Sequence, residues 1–342
     1  MVKLRIMEQK LEQVTDGPPR LIPSLGAGFN AVANNISLIL FPVLVDLLLW
    51  FGPRLRIKNL LLPGMHALNA QALELDTQIS PELVDIVQQS QEAWDLILEN
   101  FNLFSVLRTL PVGVPSLLAF RGVLSNPLHQ VGIYESPSFL AAFGSWALIV
   151  LGGILLGTIY FSSVARSSAA EEQPFSARML ARQFLQTMLL TLTMLLILII
   201  ISVPLFAVLS VSALINPMLG QVVLFAITFV ILWLILPLFF SPHGIFMQKT
   251  RARDAVFQSL RLARMFMPNT GLMVFLIILI GQGMNVIWLL ADWDSWMTLV
   301  GIAGHAFVSS GLLAATFVYY RQGIDWLEQL KKKKQQEELS HT

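Results

Sequence analysis

The sequence of 342 residues contains no cysteine and few charged side chains. The absence of cysteine excludes disulfide bonds, thiolate nucleophiles and cysteine-ligated metals. Charged residues make up 13% of the chain, whereas soluble domains carry about 25%. A chain with so little charge cannot cover a water-exposed surface of its own. The formal net charge of +1 gives no indication of nucleic-acid binding.

Apolar residues take the place of the missing charge. They make up 55% of the chain, and the mean hydropathy is +0.69. Residues 185–209 and 219–240 contain no charged side chain. Each run exceeds the roughly 20 residues that cross about 30 Å of hydrocarbon as a helix. The sequence therefore predicts an all-α, polytopic membrane helical bundle.

About six transmembrane helices are predicted, and the first is the least regular. Asn30, Asn34 and Asn35 stand at its start. Pro42 and Asp46 lie inside it. A re-entrant first helix is the alternative and would leave five spans. The predicted spans are residues 29–51, 139–161, 184–209, 219–240, 271–291 and 296–320.

Positive charges predict the orientation of these spans. With six spans and a cytoplasmic N-terminus, the cytoplasmic segments hold most of the 22 Lys and Arg residues. This asymmetry favours an N-in, C-in topology. Arg54, Arg56 and Lys58 go against the trend, because they directly follow the first span on the outer side.

The remaining segments complete the predicted organisation. Residues 1–28 are predicted as a cytoplasmic amphipathic N-terminal segment, with a frayed polar terminus as the alternative. Residues 139–320 form the five-helix transmembrane core, and residues 321–342 form a basic cytoplasmic tail. Residues 52–138 are an extracytoplasmic or interfacial helical segment. Within it, Ser80, Pro81 and Glu82 are typical of a helix start.

Two interpretations of residues 52–138 stay open. The segment is either a helical cap with a docking surface, or an interfacial cover over the outer ends of the spans. It is too small to bury much core alone, so we expect it to lean on the membrane domain.

A basic amphipathic helix is predicted at residues 254–267, on the inner side. Anionic headgroups attract Lys and Arg by about 1 kcal/mol each, which favours anchoring at the inner leaflet. The alternative is a coupling helix that inserts into a cytoplasmic partner such as an ATPase. Its apolar side carries Val256, Leu260, Ala263 and Met267, and its candidate lipid contacts are Arg253, Arg261 and Arg264.

Polar side chains within the spans are candidate functional residues, because they are costly in lipid. Asp46 is the clearest, as the one acid well inside a predicted span. It could take part in proton or cation coupling, or pair with His305. Alternatively, it lies near the outer interface and contacts Arg54 or Arg56.

The other polar residues predicted within the spans are interpreted mainly as contacts between helices. Asn34 and Asn35 either bond between helices or lie at the inner interface. Gln282 and Asn285 share a helix face and would hydrogen-bond between helices. His305, among glycines, is expected to be packed and hydrogen-bonded. Three further glycines would allow close approach to the second span: Gly152, Gly153 and Gly157.

Enzyme signatures are missing from the sequence. No nucleotide-binding loop, dinucleotide fingerprint or nucleophile elbow occurs, and no histidines stand at metal spacing. We therefore predict no catalytic, cofactor-binding or metal-binding residue, and no cofactor.

A family resemblance is carried by the C-terminal part of the chain. It rests on Ala255, Val256, Ser259, Leu260 and Leu262, and on the sequence of residues 319–325, Tyr-Tyr-Arg-Gln-Gly-Ile-Asp. This part resembles a loose superfamily of bacterial polytopic proteins, which includes the membrane domain attached to some glycerophosphoryl diester phosphodiesterases. Gln322 departs from the acidic residue common there, and no catalytic domain is present. The resemblance implies a bacterial membrane fold.

The leading functional prediction is a non-enzymatic integral membrane subunit or scaffold. Its expected partners are the lipid bilayer and a membrane protein or a second copy of the chain, without nucleic acid. The alternative is a transporter or an ABC-type export permease subunit. The sequence lacks an obvious coupling motif between the second and third spans, which weakens that alternative.

Overall fold

The computed structural model describes residues 18–75, 81–122, 125–129, 132–169 and 176–340. The predictions for residues 1–17 and for Ser80 lie outside these described residues. The all-α membrane-bundle prediction is confirmed, because long apolar helices dominate the described chain. In that part, strand structure is confined to two parallel three-residue strands.

The elements follow one another with short connections. The strands are β1 (Arg54–Arg56) and β2 (Ile133–Glu135). The helices are α1 (Leu21–Asn34), α2 (Leu40–Phe51), α3 (Lys58–Leu75), α4 (Pro81–Asn100), α5 (Phe139–Ser167), α6 (Ala177–Ile215), α7 (Pro217–Ile235), α8 (Ser241–Met247), α9 (Ala252–Met265), α10 (Met267–Trp288) and α11 (Thr298–Ser340).

Five candidate spans in the described chain are unbroken. They comprise α5, α6, α7 with its continuation to Met247, α10, and α11 as far as Lys332. A sixth candidate is broken, because α1 and residues 36–51 meet at an angle of 92°. As one span, this pair starts earlier than the predicted residue 29 and bends at Asn35; as a re-entrant segment, it leaves five spans.

The broken pair runs along the first half of α11. At its start, the Arg20 amide donates a hydrogen bond to Oε1 of Gln322, near the middle of α11 (3.2 Å). At its end, the Trp50 indole donates to the carbonyl of Trp293, just before α11 (2.8 Å). Gly28 lies so close to the backbone of α11 that a Cβ there would collide with it. The pair is thus packed lengthwise against α11.

Helix α11 is the axis of the bundle. Its Ala314, Ala315, Phe317, Tyr319 and Tyr320 are fully buried. Helices α1, α2, α5, α8, α9 and α10 all contact it. The burial of α11 is unlike that of α6 and α7, whose most apolar stretches contain no fully buried residue. Those two helices form a hairpin whose surface is left for lipid.

An irregular stretch, residues 101–122, enters the bundle and is called the wedge segment here. Its Val112, Val114 and Leu117 are buried. At Gly153, an added Cβ would lie 2.7 Å from the carbonyl oxygen of Leu107. Because Gly153 is at the midpoint of α5, the wedge segment reaches the middle of a span. Non-helical backbone is tolerated at such depth only where protein surrounds it.

Helices α3 and α4 form a hairpin that packs mainly on itself. Lys58 and Glu99 approach to 3.7 Å, and His66 and Asp95 to 3.1 Å, across the pair. Apolar side chains remain exposed on the hairpin at Leu68, Trp94, Leu96 and Ile97.

Candidate functional site

Asp46 is the centre of a buried polar site. It lies on α2 with 0% of its surface exposed. Its carboxylate accepts hydrogen bonds from the Ser116 hydroxyl and from the amides of Leu117 and Leu118, both at 3.0 Å. These donors belong to the wedge segment, which the chain folds back against α2. Three donors replace the hydration that the carboxylate loses on burial.

The predicted partners of Asp46 differ from the observed ones. The structure gives Asp46 bonds to the wedge segment, and no bond or ion pair between it and Arg54, Arg56 or His305 within the described residues. The sequence pointed to the acid but not to its partners.

Arg108 supplies the positive charge of the site. Its Nη1 donates to the carbonyl oxygen of Ser116 at 3.5 Å. It is near enough to Asp46 for the two opposite charges to attract each other. The wedge segment therefore brings a cation and hydrogen-bond donors to the same acid.

His305 forms the second part of the site, on α11. Its Nδ1 lies 2.8 Å from Oδ1 of Asn285 on α10. Its Nε2 is covered from solvent and lacks a hydrogen-bond partner among the described residues. The indole nitrogen of Trp288 is likewise covered from solvent and lacks a hydrogen-bond partner among the described residues. The Trp288 ring lies against Gly304. Two uncommitted nitrogens therefore lie near the start of α11.

The remaining intramembrane candidates are not part of this site. Gln282 is exposed on α10, so it does not share the role of Asn285. Asn34 and Asn35 are exposed at the break between α1 and the following turn. The Asn35 side chain donates to the carbonyl of Ala31 at 3.1 Å, which satisfies the end of α1.

The end of the bundle formed by α8 and α9 carries the residues predicted to contact lipid. Helix α9 buries small residues and Leu262 against the protein. Arg253, Arg261 and Arg264 are exposed on its other sides. Beside α9, the short helix α8 is buried throughout most of its length, and Nε2 of His243 lies 2.7 Å from the Thr316 hydroxyl. The sequence did not single out His243.

Arg108 and Ser116 are the site residues that sequence reasoning missed. A signal was available for Arg108, because it is a single cation within the apolar run of residues 103–120. Ser116 has no such signal, since its role depends on the fold of the wedge segment.

The site chemistry is that of hydrogen bonding and charge. The described residues contain no group of three or more His, Cys, Asp or Glu side chains that could hold a metal ion. Comparisons with family models, with curated proteins and with solved structures gave no match. The geometry can support a fixed connection between a bent helix and an irregular segment, or a carboxylate between them that takes up and releases a proton.

Proposed function

We propose that this multi-pass membrane protein is a non-enzymatic subunit or scaffold that acts by association with other membrane components. The observation that carries the proposal is the α3–α4 hairpin. It packs mainly on itself, yet leaves Trp94, Leu96 and Ile97 exposed on one helix. Clustered apolar side chains on an extramembrane element are typical of association surfaces.

The charge of the hairpin favours a protein as its partner. Residues 58–100 carry seven Asp and Glu residues and one Lys. Anionic headgroups repel such a surface, so it is poorly suited to lying on a membrane. A partner with basic side chains around an apolar patch has the complementary chemistry.

The proposed location is the bacterial cytoplasmic membrane, with both termini inside. The asymmetry of Lys and Arg supports this orientation. Two contacts at opposite ends of the α1–α2 pair support it too, because Gln322 binds the start of α1 while the α10–α11 turn binds the end of α2.

The test of this proposal is purification in mild detergent followed by cross-linking and mass spectrometry. We expect the natural chain to co-purify with a partner that cross-links to α4. The variant L96E/I97E should reduce its recovery about tenfold, as expected for the loss of an apolar anchor. The matched control Q88E/Q89E adds the same charge at exposed polar positions of α4 and should retain the partner.

A stable monomer without co-purifying protein would contradict the proposal. Equal recovery from both variants would show that the hairpin is not the contact surface. Circular dichroism of each variant checks that the helical content is unchanged.

A transporter or an ABC-type export permease subunit is the second candidate function. The observation that favours it is the combination of a helix bent by 92°, irregular backbone at mid-span depth and the carboxylate of Asp46 between them. Discontinuous helices and unwound backbone commonly form ion and substrate sites in transporters.

Reconstitution into liposomes tests this second candidate. A pH-sensitive dye would report proton flux driven by a potassium gradient and valinomycin. Flux through the natural chain that D46N abolishes and D294N retains would support a transporter. Absence of flux, together with absence of a co-purifying ATPase, would contradict both forms of this candidate.

A further inference from the structure

Arg54 and Arg56 form an unusual pair on β1. Alternate residues of a strand point to the same face, so the two side chains stand side by side. Arg54 is only 4% exposed. Nη2 of Arg54 and Nε of Arg56 are both covered from solvent, and neither has a hydrogen-bond partner in the described chain.

Among the described residues, no acidic side chain lies within ion-pair distance of the pair. The ion pairs of the described residues that lie near it use Lys58 with Glu99 and His66 with Asp95. Glu135 is opposite Arg56 in the strand register, but its Oε2 accepts the amide of Asn59 at 3.5 Å and is not within ion-pair distance of either arginine.

Burial of the unpaired charge is energetically unfavourable. Burial and the neighbouring Arg56 lower the pKa of the Arg54 guanidinium, as expected where like charges meet without an anion. Buried charges in proteins are normally paired and hydrogen-bonded. A buried arginine and a half-buried neighbour, each with a covered nitrogen that has no partner in the described chain, therefore indicate that an anion completes the site.

The position of β1 relative to the membrane–water interface indicates the source of this anion. Its partner strand β2 ends at Glu135, shortly before α5 begins at Phe139. The start of α5 exposes Phe139, Phe143 and Trp146. Exposed aromatic side chains at the end of a span mark the membrane–water interface. The arginine pair accordingly lies at the level of the lipid headgroups.

We propose that Arg54 and Arg56 bind a phosphate-bearing anion through their guanidinium N–H groups. The planar fork of arginine matches two oxygens of a phosphate, and two adjacent guanidinium groups can contact both sides of the same group. The phosphodiester of a phospholipid and free inorganic phosphate share this chemistry. The site gives a role to the positive charges that contradict the positive-inside trend after the first span.

Thermal unfolding and native mass spectrometry of the full chain test this site. The protein is purified in an uncharged detergent without phosphate. Four probes are added at matched ionic strength: phosphatidylglycerol, phosphatidylcholine, inorganic phosphate and acetate. The test variant is R54Q/R56Q. The control K58Q/R121Q removes the same charge from the same side of the protein.

A lipid source predicts that a phospholipid raises the Tm of the natural chain and of K58Q/R121Q, with one lipid retained in the mass spectrum. For R54Q/R56Q, the affinity should fall about tenfold to a hundredfold, as expected for lost charge-assisted hydrogen bonds. A free-phosphate source predicts the same pattern with inorganic phosphate, and no further effect of lipid.

Two results would overturn the proposal. One is an equal response of R54Q/R56Q and K58Q/R121Q to every probe. The other is stabilisation by acetate as large as that by either phosphate probe. If R54Q/R56Q does not fold, the single variant R56Q, at a partly exposed position, takes its place in the same comparison.

Discussion

At the scale of residues, Asp46 decides how the bent span and the wedge segment are held together. Its two carboxylate oxygens accept three hydrogen bonds from the wedge segment. Removal of an acceptor from buried amides costs about 1–3 kcal/mol, because the donors are left without hydration. A carboxylate that serves three donors is therefore hard to replace by any neutral side chain.

Asp46→Asn tests this role. The amide of asparagine is a donor at one of the two oxygen positions, so it opposes either Leu117 or Leu118. We expect a lower Tm, a loss of about 1–3 kcal/mol of stability, and faster hydrogen exchange in residues 103–120. Exchange measured by mass spectrometry checks the prediction. Asp294→Asn, at an exposed acid, is the control and should leave the exchange unchanged; equal exchange in the two variants would show that Asp46 does not hold the segment.

The partners of Asp46 could not be predicted from the sequence. Asp46 itself stands out as an acid in an apolar run. Ser116 lies 70 residues further along the chain. No local pattern joins the two positions, because their contact depends on how the wedge segment folds back. Similarly, Asn285 could be selected as a polar residue within a span, but its partner His305 was predicted only as packed and hydrogen-bonded.

At the scale of elements, the unbroken spans were predictable and the irregular elements were not. Helices α5, α6, α7, α10 and α11 follow from apolar runs long enough to cross a bilayer. Asn34 and Asn35 indicated an irregular first span, but the 92° bend at this position was not predicted. The depth of the wedge segment likewise depends on glycines of the distant helix α5.

The glycines of α5 provide a test of the wedge segment at this scale. A Cβ at Gly153 would lie 2.7 Å from the Leu107 carbonyl oxygen, and one at Gly157 would lie 2.8 Å from that of Val112. Both obstacles are backbone atoms, so Gly153→Ala and Gly157→Ala should each cost about 1–3 kcal/mol through overpacking.

The controls for this prediction are on the same helix. Nothing lies within 4 Å of a Cβ at Gly144 or Gly152. Alanine there should be neutral or stabilising by about 0.5–1 kcal/mol, because it reduces the backbone entropy lost on folding. Thermal unfolding in detergent compares the four variants. Equal stability of G153A and G152A would mean that the wedge segment does not reach the middle of α5.

At the scale of the whole molecule, α11 determines the arrangement of the α1–α2 pair. The start of α1 lies beside Gln322, near the middle of α11, and Trp50 lies beside the turn that precedes α11. Because Arg20 is bonded to Gln322, we expect residues before α1 and residues after position 322 to lie on the same side of the membrane.

Single cysteines can check this arrangement, because the natural chain has none and gives no background labelling. Pro18→Cys and Gln335→Cys should react with a membrane-impermeant thiol reagent only after cells are opened. Asn216→Cys, between α6 and α7, should react in intact cells. All three positions are exposed. Reaction of P18C and Q335C from opposite sides would instead identify the bent pair as a re-entrant helix.

The length of α6 has a consequence for the surrounding membrane. Residues 183–215 contain no charged side chain and form a helix of about 50 Å, against about 30 Å of hydrocarbon. To keep its apolar surface in lipid by tilt alone, the helix would have to incline by about 50°, beyond the usual range of up to about 40°. A kink at Pro204 or a local thickening of the bilayer around the α6–α7 hairpin must therefore take up the remaining length. This hydrophobic mismatch favours thicker membrane regions and neighbouring helices of similar length, which relieve the deformation when they gather beside it.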